Sequence, residues 1–200
     1  MNSLSKVQKM YSWTFKGKRY DDGRADLKKS FEQQFLEAIE IFNNAVFSNK
    51  KKNLSLSRDF SKVNNKCDLV YIDPPYYSKY SDNEYVRRYH FIEGLVRDWK
   101  GVKIQEKSIV KKFKKYPSMF DTQQGSYNAI NLLIKRYSKK IIVLSYSSNS
   151  LPTLQEIKKI AKDNKKTIKT IKVNYTYSFG TQKKLSKMKN KTDEYIFVIK

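Results

Sequence analysis

Residues Leu69-Val70-Tyr71-Ile72 form a short apolar run that Asp73-Pro74-Pro75-Tyr76 brings to a stop. Apolar runs of this length, rich in β-branched and aromatic residues, read as buried strands. Two consecutive prolines fix φ and supply no backbone donor, so the strand ends where they begin. The pattern puts one carboxylate, one stiff turn and one aromatic face at a strand's carboxyl end. In open α/β sheets that is where ligands bind. The prolines bring no N–H to compete for nearby acceptors. The Pro74 carbonyl and the Asp73 carboxylate can therefore each accept one N–H of an amine. Tyr76 offers a π-face, worth about 1–3 kcal/mol when a base stacks on it. Together they suit a planar base with an exocyclic amine. The competing reading is a plain strand exit with a capping aspartate and two turn prolines.

The segment Cys67 to Tyr76 resembles motif IV of the amino-methyltransferases that act on DNA adenine. Tyr85-Val86-Arg87-Arg88-Tyr89-His90-Phe91-Ile92-Glu93-Gly94-Leu95 resembles the stretch that follows this motif in the DNA adenine methylase group. Leu56-Ser57-Arg58-Asp59-Phe60 resembles its motif III, and Ile141 to Ser148 its motif VI strand. Val173 to Gly180, a basic loop and Glu194 to Val198 resemble its terminal hairpin. The likeness runs over residues 53–200. It implies transfer of a methyl group from S-adenosylmethionine (SAM) to adenine N6. Asp73 and the Pro74 carbonyl would hold the amine, Pro75 would complete the turn, and Tyr76 would stack on the flipped base. Asp59 and Phe60 would hold the SAM adenine. Cytosine N4 and the guanine N2 of ribosomal RNA offer related amines. A DNA-binding fragment without a SAM site is the non-enzymatic alternative.

The likeness also implies a Phe-x-Gly-x-Gly loop that cradles SAM. The chain has six glycines, Gly17, Gly23, Gly94, Gly101, Gly125 and Gly180, and no two form a Gly-x-Gly turn. Such a loop needs glycines because the backbone must approach the cofactor closely. The implied sheet order is 3-2-1-4-5-7-6. Strands near 53–57, 67–72, 140–147, 168–178 and 194–199 would supply strands 3 to 7. The expected fold is α/β, a Rossmann-like SAM-dependent methyltransferase fold that is incomplete, its first strands and glycine loop missing. Strand 4 would then expose an apolar edge, which natural proteins cover. A second protein chain carrying the Phe-x-Gly-x-Gly half is the expected partner. A truncated gene product is the competing expectation.

Charge points to the same substrate. Lys and Arg number 42 against 19 Asp and Glu, a net +23 over 200 residues. Such an excess attracts phosphates and makes affinity salt-dependent, so double-stranded DNA is the expected partner. A lysine-rich proteome would give the same composition. Cys67 and His90 are the single cysteine and histidine, which argues against a disulfide, a metal site or a Ser-His-Asp triad. No apolar stretch reaches membrane-spanning length and no signal peptide is visible, so a cytoplasmic location is expected.

By composition residues 1–25 stand apart as a basic, aromatic N-terminal segment, and the resemblance implies that 26–200 is the C-terminal part of a methyltransferase catalytic domain. A helix is expected over 26–47, with Phe31, Phe35, Ile39, Phe42 and Val46 as a core-packing stripe. Another is expected from Glu84 to Trp99, and a third near 122–138. Thr153 with Glu156 forms a capping-box pattern that starts a helix through Asp163. Tyr77 and Tyr80 would line the base pocket or shape its loop. Arg87 and Arg88 would contact phosphate or pair with Glu84. The loop Lys111 to Pro117 interleaves aromatics with lysines. Lys183, Lys184 and Lys187, on a lysine-rich hairpin loop, would clamp the phosphate backbone.

Overall fold

A four-stranded mixed sheet organises the chain. Its strands are β1 (Leu69–Ile72), β2 (Ile141–Ser147), β3 (Ile168–Thr176) and β4 (Lys191–Ile199), in the order β1-β2-β4-β3. The computed structural model describes residues 29–63, 66–79, 85–107, 111–114, 116–176 and 191–200. β1 and β2 run parallel, with Ile72 opposite Leu144. β4 runs antiparallel to both β2 and β3. This order and these directions agree with the last four strands of the implied sheet.

Two helices cover one face. They are α4 (Gln123–Arg136) and α5 (Leu154–Asp163), after α1 (Phe31–Ala45), α2 (Tyr85–Arg88) and α3 (His90–Val96). Ile130, Leu133 and Ile134 of α4 and Ile157, Ile160 and Ala161 of α5 recur at helical spacing. They meet Ile72, Ile142, Leu144, Tyr146, Phe197 and Ile199, which alternate along the strands. Each fully buried large apolar side chain contributes about 1.5–3 kcal/mol. Both helices start on hydroxyl caps: Thr122 accepts from the Gly125 N–H at 3.0 Å, and Thr153 with Glu156 forms the expected capping box. Asn164 donates to Asn131 at 2.8 Å and joins the end of α5 to α4.

The opposite sheet face is apolar and open. Leu69, Tyr71, Ile141, Ile171 and Val173 are exposed there, and β2 is the one strand bonded to β1 among the described residues.

The chain separates into two compact units, residues 1–57 and 58–200. In the first, α1 carries a full capping box at Ser30 and Gln33 but buries none of its residues. This corrects the core-packing assignment of its stripe, since Phe42 is 73% exposed and Val46 78%. The described residues after it, 46–57, form no helix or strand that covers it. Residues 53–57 are likewise not a strand: Leu54 is 71% exposed and the segment has no ladder partner. Alternation without a neighbouring strand to complete the hydrogen bonds does not make one. The helix expected over Glu84–Trp99 is two short helices separated at Tyr89, with φ −95° and ψ 13°. The second ends at Val96, and Asp98 and Trp99, just beyond its cap Arg97, are both at positive φ.

Candidate active site at the end of the first strand

The register of β1 and β2 builds the site. β1 and β2 begin together at Leu69 and Ile141, but β1 ends at Ile72, opposite Leu144, while β2 continues to Ser147, so the motif lies beside Ser145 and Tyr146. Asp73 is exposed, Pro74 is buried, and Pro75, Tyr76 and Tyr77 are half-buried. The Tyr76 hydroxyl donates to Asp73 Oδ1 at 3.2 Å and lies 3.4 Å from Ser145 Oγ. Its ring meets Tyr146 edge-on at 5.1 Å, and its N–H donates to the Tyr85 hydroxyl at 3.3 Å.

Tyr146 closes a circuit. Its hydroxyl donates to the Leu151 carbonyl at 2.5 Å, and the Leu151 N–H donates to the Tyr77 carbonyl at 2.8 Å. The loop after β1 is thereby clamped to the loop after β2. Burial pushes the Tyr76 and Tyr146 phenols above the usual tyrosine range, so both remain neutral donors at any physiological pH. Asp73 Oδ2 accepts no hydrogen bond among the described residues, which leaves one carboxylate oxygen open beside the motif.

Asp59 and Phe60 stand apart from this group. Asp59 caps a single 3₁₀ turn, Phe60–Lys62, by accepting from the Ser61 N–H at 2.9 Å and from the Ser61 hydroxyl. The Ser61 hydroxyl and N–H hold its carboxyl below the usual aspartate range. The Phe60 ring packs at 5.6 Å on Phe120. Arg136 donates to the Ser61 carbonyl and Tyr137 to that of Val63 at 3.2 Å, so α4 fixes the turn. No hydrogen bond or ring contact joins it to Asp73 or Tyr76 among the described residues.

Of the expected DNA contacts, Tyr77 lies in the clamp through its backbone. Arg87 and Arg88 lie on α2, and Tyr80, Lys183, Lys184 and Lys187 fall outside the described residues. In the basic loop near Lys111, Phe113 is 2% exposed and packs against His90, so it is no stacking platform. The supporting roles of Ser145, Tyr146 and Tyr85 were not assigned from sequence. The first two become legible once β1 and β2 are aligned to start together, at Leu69 and Ile141, whereas Tyr85 carries no local signal.

The fold and the site describe a mixed α/β protein with an Asp-Pro-Pro-Tyr loop clamped at the carboxyl edge of its sheet. Three curated proteins are similar to it. Over 177 residues it is 29% identical to "Type II methyltransferase M.FokI" of Planomicrobium okeanokoites, covering 86% of this chain and 25% of that protein. Over 139 residues it is 27% identical to "Modification methylase StsI" of Streptococcus sanguinis, covering 68% and 20%. Over 200 residues it is 23% identical to "Type II methyltransferase M2.HphI" of Haemophilus parahaemolyticus, covering 98% and 54%. The chain thus spans between a fifth and about half the length of these relatives. No family model and no solved structure matches it. No helix among the described residues is long and apolar enough to cross a membrane.

Proposed function

We propose that this chain is the motif-bearing part of a SAM-dependent DNA methyltransferase acting on adenine N6, with a Rossmann-like fold completed by a second protein chain carrying the Phe-x-Gly-x-Gly half. The reading rests above all on Asp73, held at the carboxyl end of β1 by Tyr76 with one oxygen open. Similarity to three proteins named as methyltransferases supports it.

The target base leaves the duplex stack, at a cost of a few kcal/mol. Asp73 Oδ2 and the Pro74 carbonyl accept the two N–H groups of its amine, which turns the nitrogen lone pair toward the incoming methyl. Tyr76 gives the base its stacking partner. SAM supplies an electrophilic methyl group when bound. Asp73 need not be a strong base, because the amine proton can leave after the methyl arrives. Catalysis is then chiefly positioning and electrostatic complementarity. On the cofactor side this chain offers an exposed acid, Asp59, and the Phe60 ring, but no Gly-x-Gly cradle. Tyr77, Tyr80, Arg87, Arg88, Lys183, Lys184 and Lys187 are the proposed DNA contacts.

Methyl transfer from labelled SAM to unmethylated duplex tests the reading. The chain expressed alone is compared with tagged chain recovered from its native cells, with Asp73→Ala as control. Activity confined to the native preparation, with a co-purifying glycine-loop chain, is the expected result. Activity in the chain alone would overturn the need for a partner. The absent glycine cradle favours one second reading, a DNA-binding fragment, which predicts duplex binding without transfer in either preparation.

A further inference from the structure

At the opposite end of the sheet from Asp73, an open cavity of about 400 Å³ has Lys139, Lys140, Lys166 and Lys200 in its lining, together with Asp68 and Ile141. It lies where β1, β2 and β3 begin and β4 ends. The four residues of β1 separate Asp68 from Asp73, five steps or about 17 Å at the rise of an extended strand.

Its walls are fixed backbone. α5 ends in a left-handed turn at Lys165, φ 56°, where the Lys165 N–H donates to Lys162 and the Lys166 N–H to Ala161. This is a Schellman closure with lysine in place of the usual glycine. It delivers Lys166, whose Nζ donates to the Ser138 carbonyl at 2.5 Å. The Lys140 N–H donates to the Tyr137 carbonyl, and the Ile141 N–H to that of Asp68. Thr167 and Lys200 exchange both backbone hydrogen bonds, at 3.0 and 3.1 Å.

Four lysines therefore line one concavity, with the Asp68 carboxylate and the terminal carboxyl group at Lys200 beside them, so the cations outnumber the anions. None of the four, nor Asp68, forms an ion pair among the described residues. Solvated lysines on a convex face share no space, whereas these four line the same concavity, and Lys166 is tied to its wall through the Ser138 carbonyl. An ammonium group is a compact charge with three donors, suited to tetrahedral oxyanions. We propose that this cavity is a phosphate-binding site, separate from the Asp73 end of the sheet. The phosphoryl group comes either from the backbone of bound DNA or from a free phosphate or pyrophosphate.

The test uses the full chain and requires no methyl transfer. Inorganic pyrophosphate is titrated at low salt and followed by ³¹P NMR, and duplex affinity is measured against salt. Lys139→Gln with Lys140→Gln is compared with a control of equal charge loss on α5, Lys159→Gln with Lys162→Gln. Circular dichroism checks that each variant is folded. Saturable one-to-one pyrophosphate binding, weakened about tenfold or more in the site variant and little changed in the control, is expected. If DNA is the source, the log–log salt slope also drops by about 2 in the site variant alone. An unchanged slope assigns the site to a free anion. Equal pyrophosphate and duplex binding by the site and control variants would overturn the proposal.

Discussion

The hydroxyl of Tyr76 is hydrogen-bonded to the carboxylate of Asp73, 3.2 Å away in the same four-residue motif. The sequence assigns Tyr76 a face for stacking. The structure adds a hydrogen bond from its hydroxyl to Asp73 Oδ1, which leaves Oδ2 without a partner among the described residues. Ser145 and Tyr146 on β2 hold the tyrosine in place.

Tyr76→Phe separates the two tasks. The ring stays while the bond to Asp73 is lost. A hydrogen bond to a charged group is worth about 1.5–3 kcal/mol, and this one, at an exposed carboxylate, falls at the lower end. Single-turnover methyl transfer by the complete enzyme should slow about tenfold with duplex affinity unchanged. Tyr76→Ala should in addition lose the stacking energy, about 1–3 kcal/mol. Equal rates for the wild type and Tyr76→Phe would show that the hydroxyl orients nothing.

Asp73→Ala removes the open carboxylate oxygen without touching a lysine. Methylation should vanish while duplex binding, carried by phosphate contacts elsewhere, stays within about twofold by gel shift. Parallel loss of both would contradict the role given to Asp73.

The Tyr146 phenol gives a pH dependence. In the unfolded chain it ionises near pH 10; in the folded protein burial holds its proton well beyond that. Above pH 10 the unfolded state has lost a proton that the folded state keeps, so stability falls as pH rises. The limiting slope is about 1.4 kcal/mol per pH unit. Urea midpoints from pH 8 to 11 should show Tyr146→Phe less stable by a constant margin up to about pH 9. That margin should shrink above pH 10. Parallel curves throughout would mean the phenol titrates normally.

Much of the fold was legible because its signals are local. Leu69 to Ile72 ends at two prolines, and Thr153 with Glu156 announces the start of α5 in four residues. The failures needed information from elsewhere in the chain. The alternation at 53–57 is real, but a strand exists only beside a partner. The stripe on α1 is amphipathic, but periodicity says nothing about what covers it. Lys165 ends α5 in a conformation that glycine usually marks, so the turn that delivers Lys166 carried no signal. The site was half visible: Asp73 to Tyr76 stood out, while Tyr85 reaches the motif only through tertiary structure.

Gly125 shows how tightly α4 is seated. A Cβ there would lie 2.1 Å from the Met119 carbonyl oxygen and 2.7 Å from Thr122 Oγ1, the atom that caps the helix. Gly125→Ala should cost about 2–4 kcal/mol, combining overpacking with loss of the cap. Gly101, at φ 72° with nothing within 4 Å, is the comparison: alanine there meets only backbone strain, about 1–2 kcal/mol. Urea denaturation of both variants should rank Gly125→Ala as the more destabilised; the reverse order would contradict the close approach of Met119.

The open edge of β1 gives the sharpest test of the proposed second chain. Parallel strands are normally buried on both faces, yet Leu69 is 50% exposed and Tyr71 59%, on a strand with one ladder partner among the described residues. A second copy of this chain is a poor cover, because each copy carries +23. Leu69→Lys with Tyr71→Lys should leave stability nearly unchanged, since exposed positions rarely cost more than about 0.5 kcal/mol. The same pair should abolish both co-purification of the glycine-loop chain and methyl transfer. Val173→Lys, on β3 at the far edge, should leave both intact. If the partner still binds the β1 variant, the second chain docks elsewhere, and the exposed face of β1 needs another explanation.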